Sequence, residues 1–587
     1  MSDKHILTLG AGPAGLAAAH ELLHQNIRPI VFEQTDKVGG IARTETYKNY
    51  FFDIGGHRFF TKNDRVNKLW QEMMGPDFLK VGRMSRIYYK GRLFKYPLSI
   101  PNTLLNLGIF ESALMMLSYL YSQIRPYPEE DTFDQWITNR FGRRLYETFF
   151  KTYTEKVWGI SCNEIQAEWA AQRIKGLSLI AAVGNALLGI KKSKSLIDEF
   201  YYPVWGPGMM WQRFQETIEK KGGEVHLNTK AVGLNHKKGR IVSVAYRNGK
   251  EAGEMPVDHL ISSIPITKLI SLMNPEPPAN VLNAARNLSY RAFIIVMLII
   301  DQKHLFSDQW IYIHNPDVKV GRIQNFKNWS AAMVPDHSKS SIGMEYFCTE
   351  GDEIWTMPDR ELIAIASREL AVLGLSDESK VLDSYVVRQP GAYPVYDSHY
   401  RDHLAVIKDY LSGFTNLQTI GRSGMHRYNN MDQSMHVGIL AAQNILGADH
   451  NLWETNEEQE YLEEQEFTDA TTDSGKALAD TLSRMDKLAM ATAVGSLTGI
   501  ILFLATIWIL LRGDGPAIQK MMLLNQYFMG YTVSIGGAFQ ILFYGFLCGF
   551  MSGWLFAYTR NLFLACHIYR IKKKNESLSL LDFFDNL

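Results

Sequence analysis

The stretch that most constrains this chain is residues 6–33. His5-Ile6-Leu7-Thr8-Leu9 reads as a buried strand and Gly10-Ala11-Gly12-Pro13-Ala14-Gly15 as a glycine turn. Residues 16–23 read as a helix and Pro29-Ile30-Val31-Phe32-Glu33 as a second strand. In such a unit the first glycine permits the tight turn and the second lets backbone approach a pyrophosphate. The third lets the helix pack on the strand. The helix N-terminus offers free N–H groups and the positive end of its dipole to phosphates. Glu33 ends the second strand, where a carboxylate accepts hydrogen bonds from a ribose. The unit predicts an α/β, Rossmann-type dinucleotide site containing Gly10, Gly12, Pro13, Ala14, Gly15, Glu33 and Gln34.

A second glycine pair follows directly, in Val38-Gly39-Gly40-Ile41-Ala42-Arg43. Gly40 would give a second close approach to the pyrophosphate, and Arg43 a cation beside it. This pattern resembles the FAD-binding half of the glutathione-reductase-like flavoproteins, not an NAD dehydrogenase, and implies FAD as cofactor. Downstream, Asp53-Ile54-Gly55-Gly56-His57 again ends a strand in two glycines, so Gly56 and His57 are expected beside something flat. No GxSxG, HExxH or P-loop suggests a rival chemistry.

Length and charge bound the rest. A chain of 587 residues suggests three or four domains. With 61 basic and 61 acidic residues the formal net charge is zero, which argues against nucleic-acid binding by bulk positive charge. Cys162, Cys348, Cys548 and Cys566 lack CxxC spacing; they suggest neither a disulfide scaffold nor a metal site, and fit a reducing compartment.

Residues 64–211 read as mostly helical. The apolar runs 103–124 and 177–190 are open to two readings, a buried helix or a face resting in a bilayer interface. The short run Ala231-Val232-Gly233-Leu234 places Val232 among the cofactor residues, and residues 292–300 form a central strand. Residues 457–486 are acidic and rich in Thr and Ser, which reads as a linker. Beyond it residues 488–511 are uncharged and apolar over a bilayer's thickness, and residues 533–558 form a second, glycine-studded span. Residues 521–531 are ambiguous between an interfacial segment and a turn of that span. Arg484, Lys487, Arg560, Arg570, Lys572, Lys573 and Lys574 flank the outer ends, against Arg512 and Lys520 between the spans. That bias puts both ends, and the flavin site, on the cytoplasmic face of an inner membrane crossed more than once.

The expected layout is a discontinuous FAD-binding domain (1–62, 203–290 and 411–450), a mostly helical insertion (63–202) and a sheet-containing substrate region (291–410). A linker (451–486), a membrane domain with two transmembrane helices (487–575) and a cytoplasmic tail (576–587) follow.

The second glycine island is Gly421-Arg422-Ser423-Gly424-Met425-His426-Arg427-Tyr428-Asn429-Asn430-Met431-Asp432-Gln433-Ser434. It resembles the C-terminal signature of the UDP-galactopyranose mutases: a Gly-Arg, an Arg-Tyr, then Met-Asp before a helix. Val157-Trp158-Gly159-Ile160 with Glu168-Trp169 and Gln172-Arg173 is similar to their substrate segment, Gly321-Arg322-Ile323-Gln324-Asn325-Phe326 to a second arginine site, and Ala392-Tyr393-Pro394-Val395-Tyr396 to a diphosphate-side segment. The resemblance covers roughly residues 4–447. It implies Gly421, Arg422, Met431, Asp432, Gln433 and Ser434 at the flavin, and His57, Arg173, Arg322, Tyr393 and Tyr428 around the substrate. It also implies reduced FAD, an isomerisation with no net redox change, and a nucleotide-linked or polyprenyl-linked sugar. A diphosphate needs cations with fork geometry, which suits Arg173 and Arg322. NAD(P)H is a candidate reductant and homo-oligomerisation a candidate state.

The chain departs from the mutases in its membrane spans. Residues 53–57 and 203–209 also look like the wider amine-oxidase, protoporphyrinogen-oxidase and phytoene-desaturase group. The alternative is therefore an FAD-dependent oxidase or desaturase of an apolar substrate, with residues 103–124 and 177–190 lining an entry tunnel.

Overall fold

The computed structural model describes residues 5–96, 100–167, 194–196, 199–455, 464–466, 486–513 and 515–585. Arg173, its neighbours Glu168, Trp169 and Gln172, and the apolar run 177–190 lie outside the described residues. The chain forms two compact units, one holding residues 1–176 and 196–464, the other residues 177–195 and 465–587.

In the first unit a five-stranded parallel sheet is ordered Glu224–His226, Pro29–Phe32, Ile6–Leu9, His259–Ser262, Leu417–Thr419. Its central strand, Ile6–Leu9, is buried throughout, which is why it reads as a continuous apolar run rather than an alternating one. The helix Pro13–His24 packs on this sheet with proline in its first turn, where a missing N–H costs nothing. Alongside runs the helix Met431–Ile445, capped by Asn430 and Gln433 in a reciprocal box. The two helices cross closely: a Cβ on Gly438 would sit 2.2 Å from the Ala14 carbonyl oxygen.

A seven-stranded mixed sheet is ordered Val381–Pro394, Tyr290–Ile300, Ser340–Cys348, Arg322–Asn325, Trp310–Ile313, Ser85–Tyr89, Arg92–Lys95. Strand alternation divides its faces. Ile294, Val296, Leu298, Ile323, Ile342 and Met344 pack against Leu362, Ala366 and Leu370 of the helix Asp359–Val372. Arg322, Gln324 and Glu345 point the other way, toward the glycine loop at Gly55-Gly56.

Most of the described residues in 63–202 are helical, and the segment also contributes strands that sequence reading did not place. Phe78–Gly82 pairs with Glu199–Pro203, and the hairpin Ser85–Tyr89/Arg92–Lys95 closes the large sheet. Lys90 and Gly91 both adopt positive φ, 47° and 76°, the mirror-image turn that matches strand twist. Residues 201–203 belong to the strand that pairs with Phe78–Gly82.

Residues 103–124 fall into two helices, Ile100–Leu107 and Ile109–Ile124, broken at Gly108, whose φ is 85°. The second exposes Phe110, Leu117, Leu120, Tyr121 and Ile124. These side chains are exposed, so this face of the helix is not part of the buried core.

Among the described residues of the second unit two helices are long and apolar enough to cross a membrane, Lys487–Arg512 and Ile535–Leu562, with mean hydropathies of 2.3 and 1.5 over their most apolar stretches. The second continues as one helix to Asp585. They meet along small residues: a Cβ on Gly499 would lie 2.6 Å from the Leu542 carbonyl oxygen, and one on Gly549 2.8 Å from Gly495 Cα. Gly545 and Gly553 share this seam, whereas Gly537 packs against the Thr532 turn that precedes its own helix. Of the ambiguous stretch 521–531, the first residues end the helix Gly515–Met522 and form the turn Leu523–Gln526, and the rest is irregular up to the helix that starts at Ile535.

Candidate active site

The first glycine turn and the Gly39-Gly40 turn face each other as bare backbone. Gly39 N donates to the Ala11 carbonyl at 2.8 Å, and a Cβ on Gly40 would lie 3.3 Å from Gly12 Cα. A Cβ on Gly15 would be 2.0 Å from the Gly10 oxygen, so helix and strand come together only because position 15 has none. The helix Pro13–His24 has no side-chain cap, which leaves its N-terminal N–H groups to the crevice.

Glu33 is buried at the end of its strand. One carboxylate oxygen accepts from Ala11 N at 2.9 Å, and the other from Thr35 N and Oγ1 at 3.0 and 2.9 Å. The first retains a lone pair for a ribose hydroxyl. A glycine-walled cleft, an uncapped helix start and an oriented carboxylate together fit a dinucleotide such as FAD. Gln34 is exposed beside this acid. Val232 is the extra residue of a bulge, since Ala231 pairs with Tyr246 and Gly233 with Ala245, and its side chain is exposed.

Arg43 is more occupied than a free phosphate-binding cation. Its Nε donates to Glu45 at 2.6 Å and its Nη1 to the Gly40 carbonyl at 3.0 Å and to Gln389 at 2.7 Å. It braces the second glycine turn.

The second island closes the cleft from the other side. Gly421, at φ 75°, lets the short helix Gly421–Gly424 approach, where a Cβ would lie 2.9 Å from Ala14 Cβ. Arg422 donates to the Asn429 carbonyl at 2.9 Å, and its guanidinium sits 4.4 Å over the Tyr428 ring. Met431 and Ser434 are buried in the first turn of the helix Met431–Ile445. Asp432 is buried with them, and burial raises its carboxyl pKa against a hydrogen bond from Thr61. Gln433 is committed to the cap, accepting from Asn430 N at 3.0 Å.

The large sheet supplies the opposing wall. Arg322 and Glu345 are direct cross-strand partners, so register alone brings them together. Arg322 Nε and Nη2 both donate to Glu345 Oε2, at 2.8 and 2.5 Å, and Nη2 reaches the Tyr393 hydroxyl at 3.4 Å. Burial disfavours the Arg322 charge, but the Glu345 carboxylate outweighs it and holds the guanidinium pKa well above its ordinary value. Tyr393 stacks on Tyr428 at 5.6 Å and 15°, and Trp158 stands edge-on to Tyr393 at 6.3 Å. Burial pushes the Tyr393 phenol up to about 12, so it is a donor at neutral pH.

His57 faces this group. Its Nδ1 lies 3.1 Å from the Gly55 carbonyl oxygen. Burial, then the charges of Arg422, Arg322 and Arg43, lower its pKa to about 3, and it stays neutral across the physiological range. Of the five substrate-side residues expected from sequence, the fold thus gathers His57, Arg322, Tyr393 and Tyr428, and Arg173 lies outside the described residues.

Sequence reading did not single out Glu345, Gln324, Tyr153 or Asp53. Glu345 is a fully buried acid in a strand buried along its whole length, a pattern that demands a cation. Gln324 donates to Glu345 at 2.9 Å and backs Gly56, where a Cβ would be 3.0 Å from its amide nitrogen. Tyr153 stacks on His314 at 4.8 Å, and burial raises its phenol well above the usual range.

Asp53 ends the strand that leads into the glycine loop. Tyr202 donates to one carboxylate oxygen and Thr44 Oγ1 to the other at 3.0 Å, and Thr44 in turn accepts from Gly208 N at 2.9 Å. Burial raises the Asp53 pKa to about 7, against the lowering effect of those two hydrogen bonds. The folded state therefore holds this proton more tightly than the unfolded chain. The stabilisation is complete below about pH 4 and is lost as the pH rises through 7. Asp53→Asn is expected to flatten that loss, by up to roughly 4 kcal/mol, in denaturation series run from about pH 4 to about pH 8.

A family model described as flavin containing amine oxidoreductase matches residues 13–446. The chain belongs to that family. Membership implies FAD, in keeping with the glycine-walled cleft. A Klebsiella pneumoniae protein named as a probable UDP-galactopyranose mutase is 27% identical over 178 residues, which cover 28% of this chain and 44% of that protein. A flavin-containing amine oxidase of Oncorhynchus mykiss is 33% identical over 101 residues, 16% of this chain and 19% of that protein. The chain thus matches under half the length of these curated relatives. Among solved structures, reduced UDP-galactopyranose mutase superposes with a TM-score of 0.68 at 20% identity, covering 77% of this chain and 98% of that one. A protein from Exiguobacterium described as a protoporphyrinogen oxidase superposes at 0.58 and 15% identity, covering 76% and 99%. The family member described here therefore has the mutase-type fold.

Proposed function

We propose that this flavoenzyme is a mutase of the UDP-galactopyranose type, acting on a nucleotide-linked or polyprenyl-linked sugar in surface polysaccharide biosynthesis. The observation that carries this reading is the convergence of Arg322, Arg422, Tyr393 and Tyr428 opposite the Gly55-Gly56-His57 loop. Cations and phenol donors on one wall suit a diphosphate leaving group, whereas an apolar substrate would want neither.

The cofactor, when bound in its reduced form, supplies the nucleophilic and electron-donating chemistry. The chain supplies position and charge. Arg322, held rigid by Glu345, would offer its remaining N–H donors to the departing diphosphate without needing to reorganise. Arg173 is the second candidate cation. Tyr393 and Tyr428 would donate to the same oxygens, with Trp158 edge-on beside Tyr393 as an apolar wall. His57 remains neutral and offers one hydrogen bond at the reacting face without adding a charge. No side-chain nucleophile is required. NAD(P)H is the physiological reductant to test first, and light scattering would settle whether the chain forms homo-oligomers.

The helices Lys487–Arg512 and Ile535–Leu562 support anchoring in the inner membrane. The basic residues at the outer ends, against Arg512 and Lys520 between, support a cytoplasmic catalytic unit close to polyprenyl-linked sugars.

The test is chromatography of UDP-galactopyranose incubated with the purified chain before and after dithionite reduction. A furanose product in the reduced sample alone is expected. Oxygen-dependent turnover of a porphyrinogen or carotenoid, with no furanose, would overturn the reading.

A further inference from the structure

The helix Ile109–Ile124 carries a feature that the catalytic reading does not use. Phe110, Leu117, Leu120, Tyr121 and Ile124 lie at i, i+7, i+10, i+11 and i+14, on one arc of about 100°. Phe110 and Ile124 are 75% and 78% exposed, and the other three between 48% and 61%. The opposite side is firmly seated. Met115, Tyr119 and Ser122 are buried, and Gly142 lets the next helix approach so closely that a Cβ there would lie 2.7 Å from Tyr119 Cα. The acid of this helix, Glu111, is matched bidentately by Arg144 at 3.0 Å on each oxygen, away from the exposed arc. The outward face is thus uncharged, apolar and held in place by its own fold.

We propose that this face is a second membrane contact, in which the helix Ile109–Ile124 lies in the headgroup–acyl boundary of the bilayer that the C-terminal helices cross. Two observations favour a lipid surface over a protein partner. Five large side chains on one helix fall well short of the 20–30 residues per side of a typical protein interface, whereas a bilayer accepts a lone amphipathic helix. The same chain also carries two helices of membrane-crossing length, so a bilayer is always within tether range. Tyr121, Tyr127 and Arg125 at the helix end are residue types that settle at headgroup depth. The contact rests on the anchored reading proposed above, and would fix how the catalytic unit presents itself to lipid-linked substrates.

The experiment uses the full chain with Cys548 and Cys566 replaced by serine, reconstituted in vesicles of phosphatidylethanolamine and phosphatidylglycerol. A nitroxide is placed by Ile124→Cys, by Leu504→Cys in the first span, or by Glu378→Cys as an aqueous control, and its exposure to oxygen and to a water-soluble nickel chelate is measured. At Ile124→Cys the oxygen-to-nickel ratio is expected to be several-fold above that at Glu378→Cys, approaching Leu504→Cys. A ratio equal to the aqueous control at Ile124→Cys, with Leu504→Cys in lipid, overturns the contact and leaves the anchor standing. An aqueous ratio at Leu504→Cys removes the anchor itself, and the contact with it. Shielding of Ile124→Cys from both reagents also overturns the proposal in favour of a protein cover, identified as a second copy if dilution with unlabelled chain sharpens the spectrum.

Discussion

Replacing Arg322 by alanine is expected to remove sugar-nucleotide binding and to destabilise the catalytic unit by about 3–5 kcal/mol. That is the cost of leaving a buried charge without its partner. Glu345 is fully buried and accepts hydrogen bonds from Arg322 and Gln324, so Arg322→Ala takes the charged one of these two donors from its carboxylate. The two effects can be separated. In the double variant Arg322→Ala/Glu345→Gln the orphaned charge is gone, and chemical denaturation should show most of the stability restored. Titration calorimetry with UDP should still show no binding. If the double variant binds UDP as the wild type does, Arg322 is a structural cation and the diphosphate site lies elsewhere.

A comparably large effect is expected at the first glycine turn, and it discriminates between its glycines. A Cβ on Gly15 would meet the Gly10 carbonyl oxygen at 2.0 Å, so Gly15→Ala must push the helix Pro13–His24 off its strand. Both stability and bound flavin should be lost. A Cβ on Gly12 would meet Gly40 Cα only at 4.0 Å, an ordinary contact. Gly12→Ala should therefore fold with little loss yet fill the cleft in which a pyrophosphate would lie, and yield colourless protein. Flavin absorbance per mole of protein, set beside the unfolding midpoint, reads both. Retention of flavin by Gly12→Ala would show that the cleft is not the pyrophosphate site.

What the sequence discloses follows from how local each feature is. The strand–glycine–helix unit at residues 6–33 was legible because the chemistry of close approach is written into consecutive positions. The island at 421–434 was legible for the same reason. Glu345 was not, because its meaning depends on the register that sets it opposite Arg322, two strands brought together by pairing across 23 positions. The hairpin Ser85–Lys95 was missed because it is bound to the strand Trp310–Ile313, more than 200 residues downstream. For the helix Ile109–Ile124, composition marks an apolar segment, but which of its sides is covered is decided by Tyr119 against Gly142 and by Arg144 against Glu111. Arg43 reads from sequence as a cation near phosphates, and its commitments to Glu45 and Gln389 required the fold.

The crossing of Gly438 over the Ala14 carbonyl has a consequence for the timing of biosynthesis. The cleft's floor is translated first and its far wall more than 400 residues later, so a nascent chain holds an open, half-built cofactor cradle for most of its synthesis. By the time residues 431–445 leave the ribosome, the hydrophobic segment at 487 is close behind in translation. On the anchored reading proposed above, flavin loading and delivery to the bilayer fall in the same short interval at the end of elongation, where each can outrun the other.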